Sequence, residues 1–269
     1  MALIAAVQLS CSSDLDRNWE TAEGLIRRAA GYGASLIATP EATDYLGPHS
    51  QKMAIAEPLD GPRGQRYANL ARELGVTLLI GSVAEPHDDQ RTYNTSVLFG
   101  PDGARLARYR KMHLFDVDLA AVGGVTFKES QRTAAGEDVI VAETPMGRLG
   151  MSICFDLRFG ALYRAMVDQG ATILAVPSAF TMMTGKDHWH ALLRARAIEN
   201  QCWVIAPGQC GEHDDKGLRH SYGHSLIVDP WGRVVAECGD APGVAIAEMD
   251  PTLLPRIRER MPMAANRRL

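Results

Sequence analysis

The chain has 269 residues, a length that suits one large domain or two small ones. Apolar residues make up 46% of it and charged residues 22%, as in an ordinary globular protein. The formal net charge is −4 and the basic residues are scattered, so we expect no nucleic-acid-binding surface. No apolar run reaches the roughly 18–20 residues that a membrane-spanning helix needs, so we expect no membrane span.

The beginning of the chain and its cysteines both favour a cytoplasmic protein. The first apolar run has no charged segment before it, so it predicts a buried strand and not a secretion signal. The odd number of cysteines, without a C-x-x-C pair, predicts reduced thiols, no disulfide framework and no zinc site. Most such thiols are expected to be small core side chains. The cysteines are Cys11, Cys154, Cys202, Cys210 and Cys238.

In the first third of the chain, strands alternate with helices. The helix signals are apolar residues at helical spacing and a stop at Gly75. The predicted elements are a strand over Leu3–Leu9, a helix through residues 19–29, a strand over Ser35–Thr39, a helix over Gly64–Leu74 and a strand over Val76–Val83.

The rest of the chain adds hairpins to this alternation, one of them around the Gly-Pro-Asp-Gly turn at 100–103. A long helix over Asp187–Gln201 is predicted to place Trp189, Leu192, Leu193 and Ile198 on one side. The other predicted elements are hairpins of Tyr93–Leu98 with Arg105–Arg110 and of Val139–Glu143 with Arg148–Cys154, a helix over Phe159–Gln169, strands over Thr172–Val176, Cys202–Ala206, Ser225–Val228, Val234–Ala236 and Val244–Ala247, and a short helix after Pro251.

This order of elements predicts a mixed α/β protein built in layers. Interleaved hairpins fit mixed sheets better than a doubly wound parallel sheet. No linker, repeat or low-complexity stretch interrupts the chain, so we expect a single domain over residues 1–269.

One cysteine stands where an apolar strand gives way to a polar segment, in Gly150-Met-Ser-Ile-Cys154-Phe-Asp-Leu-Arg158. A nucleophile at a strand-to-helix turn would stand clear of the sheet, and the backbone N–H groups after it would face an oxyanion. The start of the helix would also lower the pKa of the thiol. From spacing alone, a core cysteine that ends a strand is an equally good interpretation.

A thiol nucleophile needs a base and a group that stabilises the tetrahedral intermediate. Glu41 and Lys111 each follow a predicted strand, although alone each is more typical of a loop carboxylate or a surface cation. Histidine is the usual base, but spacing selects none of the available ones, which are His113, His188, His190, His220 and His224.

Three segments, in this order, resemble the signatures of the carbon–nitrogen hydrolase (nitrilase) superfamily. They are Pro40-Glu41, the YRKMHLFD segment at 109–116 and the ICFDLRF segment at 153–159. The resemblance covers essentially the whole chain. It implies a four-layer αββα sandwich with mixed sheets and a Glu–Lys–Cys catalytic set that needs no metal or cofactor.

The resemblance also implies a role for each site residue. Glu41 would be the general base for Cys154, and burial in an apolar pocket would raise its pKa toward neutrality. Lys111 and the backbone N–H of Phe155 would stabilise the oxyanion. A second active-site glutamate of the family falls in a Phe-x-Glu-Ser pattern, which Glu129 matches here.

The segment after the nucleophile resembles the group of amidases that act on deaminated glutathione and on other ω-amides of α-keto acids. This predicts an amidohydrolase that releases ammonia from a small carboxylate-bearing amide through a thioester. Arg158 would bind the substrate carboxylate, since its planar fork suits bidentate contact. The family usually has Pro-Glu where this chain has Gly160-Ala161, so we expect a looser helix start.

Other interpretations remain open at this point. Within the family, the chain could be a general aliphatic amidase or a carbamoyl hydrolase of the β-ureidopropionase type. A non-catalytic binding or scaffold member is a second alternative. A metal-dependent amidohydrolase is disfavoured, because the sequence has no cluster of metal ligands. By resemblance, helices near Phe159 and Asp187–Gln201 would pack across a twofold axis, which predicts a homodimer or a higher oligomer.

Overall fold

The computed structural model describes residues 2–118, 120, 125–214 and 219–268. The strands are β1 (Ala2–Gln8), β2 (Ala34–Ala38), β3 (Thr77–Pro86), β4 (Thr92–Phe99), β5 (Arg105–Arg110), β6 (Asp116–Asp118), β7 (Thr126–Lys128), β8 (Thr133–Ala134), β9 (Val141–Thr144), β10 (Gly147–Met151), β11 (Ile173–Ala175), β12 (Trp203–Ala206), β13 (Cys210–Glu212), β14 (His220–Tyr222), β15 (Leu226–Val228), β16 (Val234–Glu237) and β17 (Gly243–Met249). The helices are α1 (Leu15–Gly31), α2 (His49–Ile55), α3 (Pro62–Leu74), α4 (Gly160–Asp168), α5 (Met182–Asn200), α6 (Leu253–Arg260) and α7 (Met263–Asn266).

The strands form two large mixed sheets. The first has the order β17-β1-β2-β3-β4-β5, with β8 beside β4, and its central strands β1, β2 and β3 are parallel. The second has the order β16-β15-β12-β11-β10-β9, with β10, β11 and β12 parallel. Two further hairpins, β6–β7 and β13–β14, stand apart from these sheets.

The alternation of side chains along β1 shows how the layers are arranged. Ile4 and Ala6 join a core cluster that includes residues of the second sheet, whereas Ala5 and Val7 join a cluster with α1 and α3. Because neighbouring side chains of a strand point to opposite faces, the first sheet lies between the second sheet and these helices. On the far side, α4 and α5 contribute buried residues to the core of the second sheet. The predicted αββα sandwich with mixed sheets is confirmed.

The helix ends follow the local sequence. Asp14 caps α1, since its Oδ1 accepts hydrogen bonds from the N–H groups of Asp16 and Arg17, both at 3.1 Å. Pro62 begins α3, and Gly75 ends it with φ 64°, a left-handed conformation that glycine adopts without strain. The predicted stop at Gly75 is therefore confirmed.

Two details of the predicted long helix differ from the structure. Helix α5 begins at Met182 and not at Asp187, and Ile198 is 41% exposed although it was assigned to the apolar side. The sequence did not indicate α2, β6–β7 or β13–β14. Helix α4 begins at Gly160, directly after the turn at Cys154–Arg158, and no side chain caps this helix start. Within the described residues, no helix is long and apolar enough to span a membrane.

Candidate active site

Three strand ends bring Glu41, Lys111 and Cys154 together. Glu41 follows β2, Lys111 directly follows β5, and Cys154 follows β10. The three side chains line one cavity of about 580 Å³, together with Glu129, Phe155 and other residues. Residues that lie far apart in the sequence thus share one site, as the three motifs predicted.

A tight turn presents Cys154 to this cavity. Its φ of 49° is left-handed, a conformation that is costly for a residue other than glycine and that occurs at functional sites. Its backbone N–H is held by Pro177 O at 2.9 Å. The buried carboxylate of Asp156 accepts hydrogen bonds from the Ile153 N–H at 2.8 Å and from the Tyr109 hydroxyl at 2.7 Å, which connects this turn to the segment before Lys111.

Lys111 lies between two carboxylates. Its Nζ donates to Glu41 Oε1 at 3.0 Å and to Glu129 Oε2 at 2.9 Å. The Lys111 side chain is 2% exposed, so these contacts are charge-assisted hydrogen bonds of a buried ammonium group. These two carboxylates therefore bind an ammonium group at the position where they could otherwise bind a metal ion.

The carboxylates are also fixed by neutral donors. The side chain of Asn94 donates to Glu41 Oε1 at 2.8 Å and lies 3.4 Å from Glu129 Oε1. The backbone N–H of Ala179 donates to Glu41 Oε2 at 2.8 Å, and that of Phe115 donates to Glu129 Oε2 at 2.7 Å. Both glutamates are therefore held in one orientation on either side of Lys111.

The surroundings of Glu41 favour its ionised form, and those of Cys154 favour its protonated form. Burial opposes the ionisation of Glu41, but the charge of Lys111 and the Ala179 N–H outweigh it, so the pKa of Glu41 lies below its ordinary value. Burial raises the pKa of the Cys154 thiol, and the negative charge of Glu41 raises it further. Burial would lower the pKa of Lys111, but Glu129 and Glu41 hold it well above its ordinary value.

Two electrostatic predictions are therefore wrong: Glu41 does not have a raised pKa, and Cys154 does not have a lowered one. For Glu41 the prediction counted burial but not the cation that pairs with it. For Cys154 it assumed the start of an α-helix, whereas the residue begins a five-residue 3-10 turn, Cys154–Arg158, beside a carboxylate. So short a turn has little dipole to stabilise a thiolate.

Phe155 and Arg158 lie on the same turn and line the cavity. Phe155 is its second residue, where a backbone N–H has no partner within the helix. The Arg158 guanidinium lies 5.8 Å from the Phe155 ring centre and 5.1 Å from that of Phe180, and its Nη1 is 3.2 Å from His188 Nδ1. Among the described residues, no carboxylate contacts this guanidinium.

The structure places the candidate histidines elsewhere and adds groups that the motifs did not indicate. His113 contacts Asp156 at 2.7 Å and stacks on Phe159, and no histidine is among the described side chains that line the cavity. The sequence analysis missed Asn94 and the Ala179 N–H. Asn94 lies among the polar residues of β4 and had no clear sequence signal, and a backbone donor has none either.

Comparison with known proteins agrees with this geometry. The profile of the carbon–nitrogen hydrolase family matches residues 3–259. The deaminated glutathione amidase of Synechocystis is 42% identical over 98% of this chain and 97% of its own length. The human omega-amidase is 36% identical over 98% of this chain and 94% of its own. The crystal structure of the C. elegans NitFhit protein superposes with a TM-score of 0.92 at 39% identity, covering 100% of this chain and 66% of that one. This chain therefore belongs to the carbon–nitrogen hydrolase family, as its three motifs predicted.

Proposed function

We propose that this chain is an amidase that cleaves a small carboxylate-bearing amide, with Cys154 as nucleophile, Glu41 as general base and Lys111 as their partner. One observation carries the proposal: the side chains of Glu41, Lys111 and Cys154 line the same cavity, with the Lys111 ammonium 3.0 Å from the Glu41 carboxylate. A thiol with a raised pKa needs a base during attack, and the ionised Glu41 can take that proton.

The steps follow from these protonation states. The Cys154 proton moves to Glu41 as sulfur bonds to the amide carbonyl carbon. Collapse of the tetrahedral intermediate breaks the C–N bond, and Glu41 gives the proton to the departing nitrogen, which leaves a thioester. Water then attacks the thioester and gives a proton to Glu41, the S–C bond breaks, and the proton returns to sulfur as the acid leaves.

The other groups of the site would stabilise the intermediate. The backbone N–H of Phe155 and the ammonium of Lys111 are the donors proposed for the oxyanion, since both belong to the cavity lining. Glu129 is proposed to position Lys111, because its Oε2 accepts from Nζ at 2.9 Å and from the Phe115 N–H. Asn94 would hold Glu41 in the orientation that receives the proton.

We propose that Arg158 binds a carboxylate of the substrate. Its guanidinium is partly buried between two aromatic rings without an acidic partner among the described residues, so an anion would gain strong hydrogen bonds there. Lys52, Lys128, Arg132 and Arg219 also line the cavity, which favours a substrate with more than one negative group. Deaminated glutathione has two carboxylates and meets this requirement, whereas α-ketoglutaramate has one carboxylate, which Arg158 alone could bind.

A substrate panel tests this proposal, and its readout must cover both leaving groups. A primary amide such as α-ketoglutaramate releases ammonia, whereas deaminated glutathione carries its ω-carbonyl on the amine of cysteinylglycine and releases that dipeptide. We expect turnover of one or both, weaker turnover of neutral aliphatic amides, and none in Cys154→Ala. Carbon dioxide release from carbamoyl compounds would assign the chain to the carbamoyl hydrolases instead. A lack of turnover throughout would favour the scaffold interpretation.

We further propose that the chain is a single domain and forms a homodimer in the cytoplasm. The family match over residues 3–259 supports one domain, and the free cysteines of the described residues support a reducing compartment. Phe159, Ile198 and Trp231 are exposed by 37%, 41% and 52%, and such apolar side chains near α4 and α5 favour an interface there. Light scattering at micromolar concentration tests this, and a monomeric mass would contradict it.

A further inference from the structure

A second cluster of ligand-type side chains lies outside the catalytic cavity. His190 belongs to α5, His224 follows β14, and Glu237 ends β16. Glu237 Oε1 is 2.9 Å from His190 Nε2 and 2.7 Å from His224 Nδ1, and the ligand atoms of the three residues all lie within 4.8 Å of one another. The described lining of the catalytic cavity includes none of the three.

The backbone and its neighbours fix the His224 ring in this cluster. His224 has a left-handed φ of 52°, and its carbonyl accepts a hydrogen bond from Trp189 Nε1 at 2.8 Å. Its ring stacks on Tyr222 with ring centres 4.4 Å apart. A non-glycine residue keeps such a backbone only when its surroundings enforce it. The direction of the ring is therefore built into the fold.

The chemistry and the spacing of these atoms fit a transition-metal ion. Two imidazole nitrogens and a carboxylate oxygen are a ligand set of zinc, with bonds of about 2.0–2.2 Å that place neighbouring ligands about 3.3 Å apart in a tetrahedron. The observed separations of 2.9 and 2.7 Å need only a small expansion to admit the ion. The three side chains are 34%, 26% and 33% exposed, so solvent can supply the fourth ligand.

The second nitrogen of His224 also has the partner that a metal-bound histidine usually has. His224 Nε2 lies 3.4 Å from Asp240 Oδ1. When a metal is bound at Nδ1, a carboxylate at this position would favour the proton on Nε2.

We propose that His190, His224 and Glu237 bind a divalent transition-metal ion of the Zn²⁺ type, oriented by Asp240 and completed by water. The ion takes no part in amide hydrolysis. It joins α5, the segment after β14 and the end of β16, three elements that are distant in the sequence. Its effect is to hold α5, which also carries Thr184 of the catalytic cavity and His188 beside Arg158.

Metal titration of purified, metal-stripped full-length protein tests the proposal. Zn²⁺ is added in competition with a chromophoric chelator, and we expect one saturable equivalent per chain and a higher Tm in its presence. His190→Gln and Glu237→Gln should each abolish this equivalent. His224→Asn should do so as well, and asparagine tolerates the left-handed backbone. Asp240→Asn should weaken binding about 10–100-fold.

Two controls make the outcome decisive. His220→Gln changes an exposed histidine on β14 outside the cluster and should leave Zn²⁺ binding unchanged. Cys154→Ala removes the thiol that could bind zinc in the catalytic cavity, and the equivalent should persist in it. Loss of the equivalent in Cys154→Ala, its survival in His190→Gln and Glu237→Gln, or the absence of saturable binding would each overturn the proposal and leave a hydrogen-bonded His–Glu–His cluster.

Discussion

Replacing Asn94 by alanine would test the proposed state of the catalytic base. The Asn94 amide donates to Glu41 Oε1 at 2.8 Å, and this bond stabilises the ionised form of a buried carboxylate. Hydrogen bonds to charged groups contribute about 1.5–3 kcal/mol. Because 1.36 kcal/mol corresponds to one pKa unit, the loss should raise the pKa of Glu41 by about 1–2 units. In the proposed mechanism Glu41 must be ionised, so the acid limb of kcat/KM should move to higher pH by the same amount.

The assay is kcat/KM against pH, with ammonia release from α-ketoglutaramate as readout. Asn69→Ala is the matched control, since Asn69 is exposed on α3, and its profile should coincide with that of the wild type. Circular dichroism and Tm check that Asn94→Ala is folded. A loss of activity that is equal at every pH, with the acid limb in its original place, would refute the reasoning, because Asn94 would then not act through the charge of Glu41.

Three further changes have expected outcomes. Cys154→Ala should abolish turnover with unchanged circular dichroism. In the wild type, the rate of Cys154 alkylation by iodoacetamide should still increase above pH 9, because the pKa of the thiol is raised above the ordinary 9.0. An alkylation rate that levels off near neutral pH would contradict this. Arg158→Lys should lower kcat/KM about 10–100-fold for α-keto-acid amides but barely for neutral amides, because only the former have a carboxylate for the guanidinium to bind. If the ratio of kcat/KM between the two substrate classes is the same in the wild type and the variant, Arg158 has a structural role. Glu85→Gln should lower the free energy of unfolding in urea by about 2 kcal/mol, because the Glu85 side chain is buried and its Oε1 lies 2.7 Å from the partly exposed Arg110. Glu143 is exposed, so the control Glu143→Gln should change the free energy of unfolding little. Burial opposes ionisation of Glu85, but its partners hold its pKa below 4.5, so this difference should be complete above pH 4.5 and disappear as the pH falls through the lowered pKa.

The sequence predicted those parts of the fold that have a local signal. Apolar alternation, the stop at Gly75 and the turn between β4 and β5 each depend on a few neighbouring residues, and all are confirmed. The hairpins β6–β7 and β13–β14 lack such a signal, because their strands are three residues long and have at most one buried position each. The seven-residue helix α2 is too short to show a clear apolar stripe.

The candidate site was also only partly predictable from the sequence. The three motifs brought Glu41, Lys111 and Cys154 into one proposal, and the structure brings these side chains into one cavity. Their protonation could not be predicted, because it depends on partners that the chain supplies from elsewhere. The Ala179 N–H that binds Glu41 is 138 residues away from it in the sequence. Resemblance can identify ionisable groups, but their pKa values follow from the assembled surroundings.

The two glutamates around Lys111 have a consequence for the end of the catalytic cycle. With a neutral thiol, the buried set of Glu41, Glu129 and Lys111 carries one net negative charge, and an uncharged amide group can approach it without penalty. Hydrolysis turns that group into a carboxylate beside the re-ionised Glu41. Two like charges 4 Å apart repel by about 4 kcal/mol at an effective dielectric constant of 20, although Lys111 offsets part of this. The site therefore favours release of the acid it forms and disfavours resynthesis of the amide.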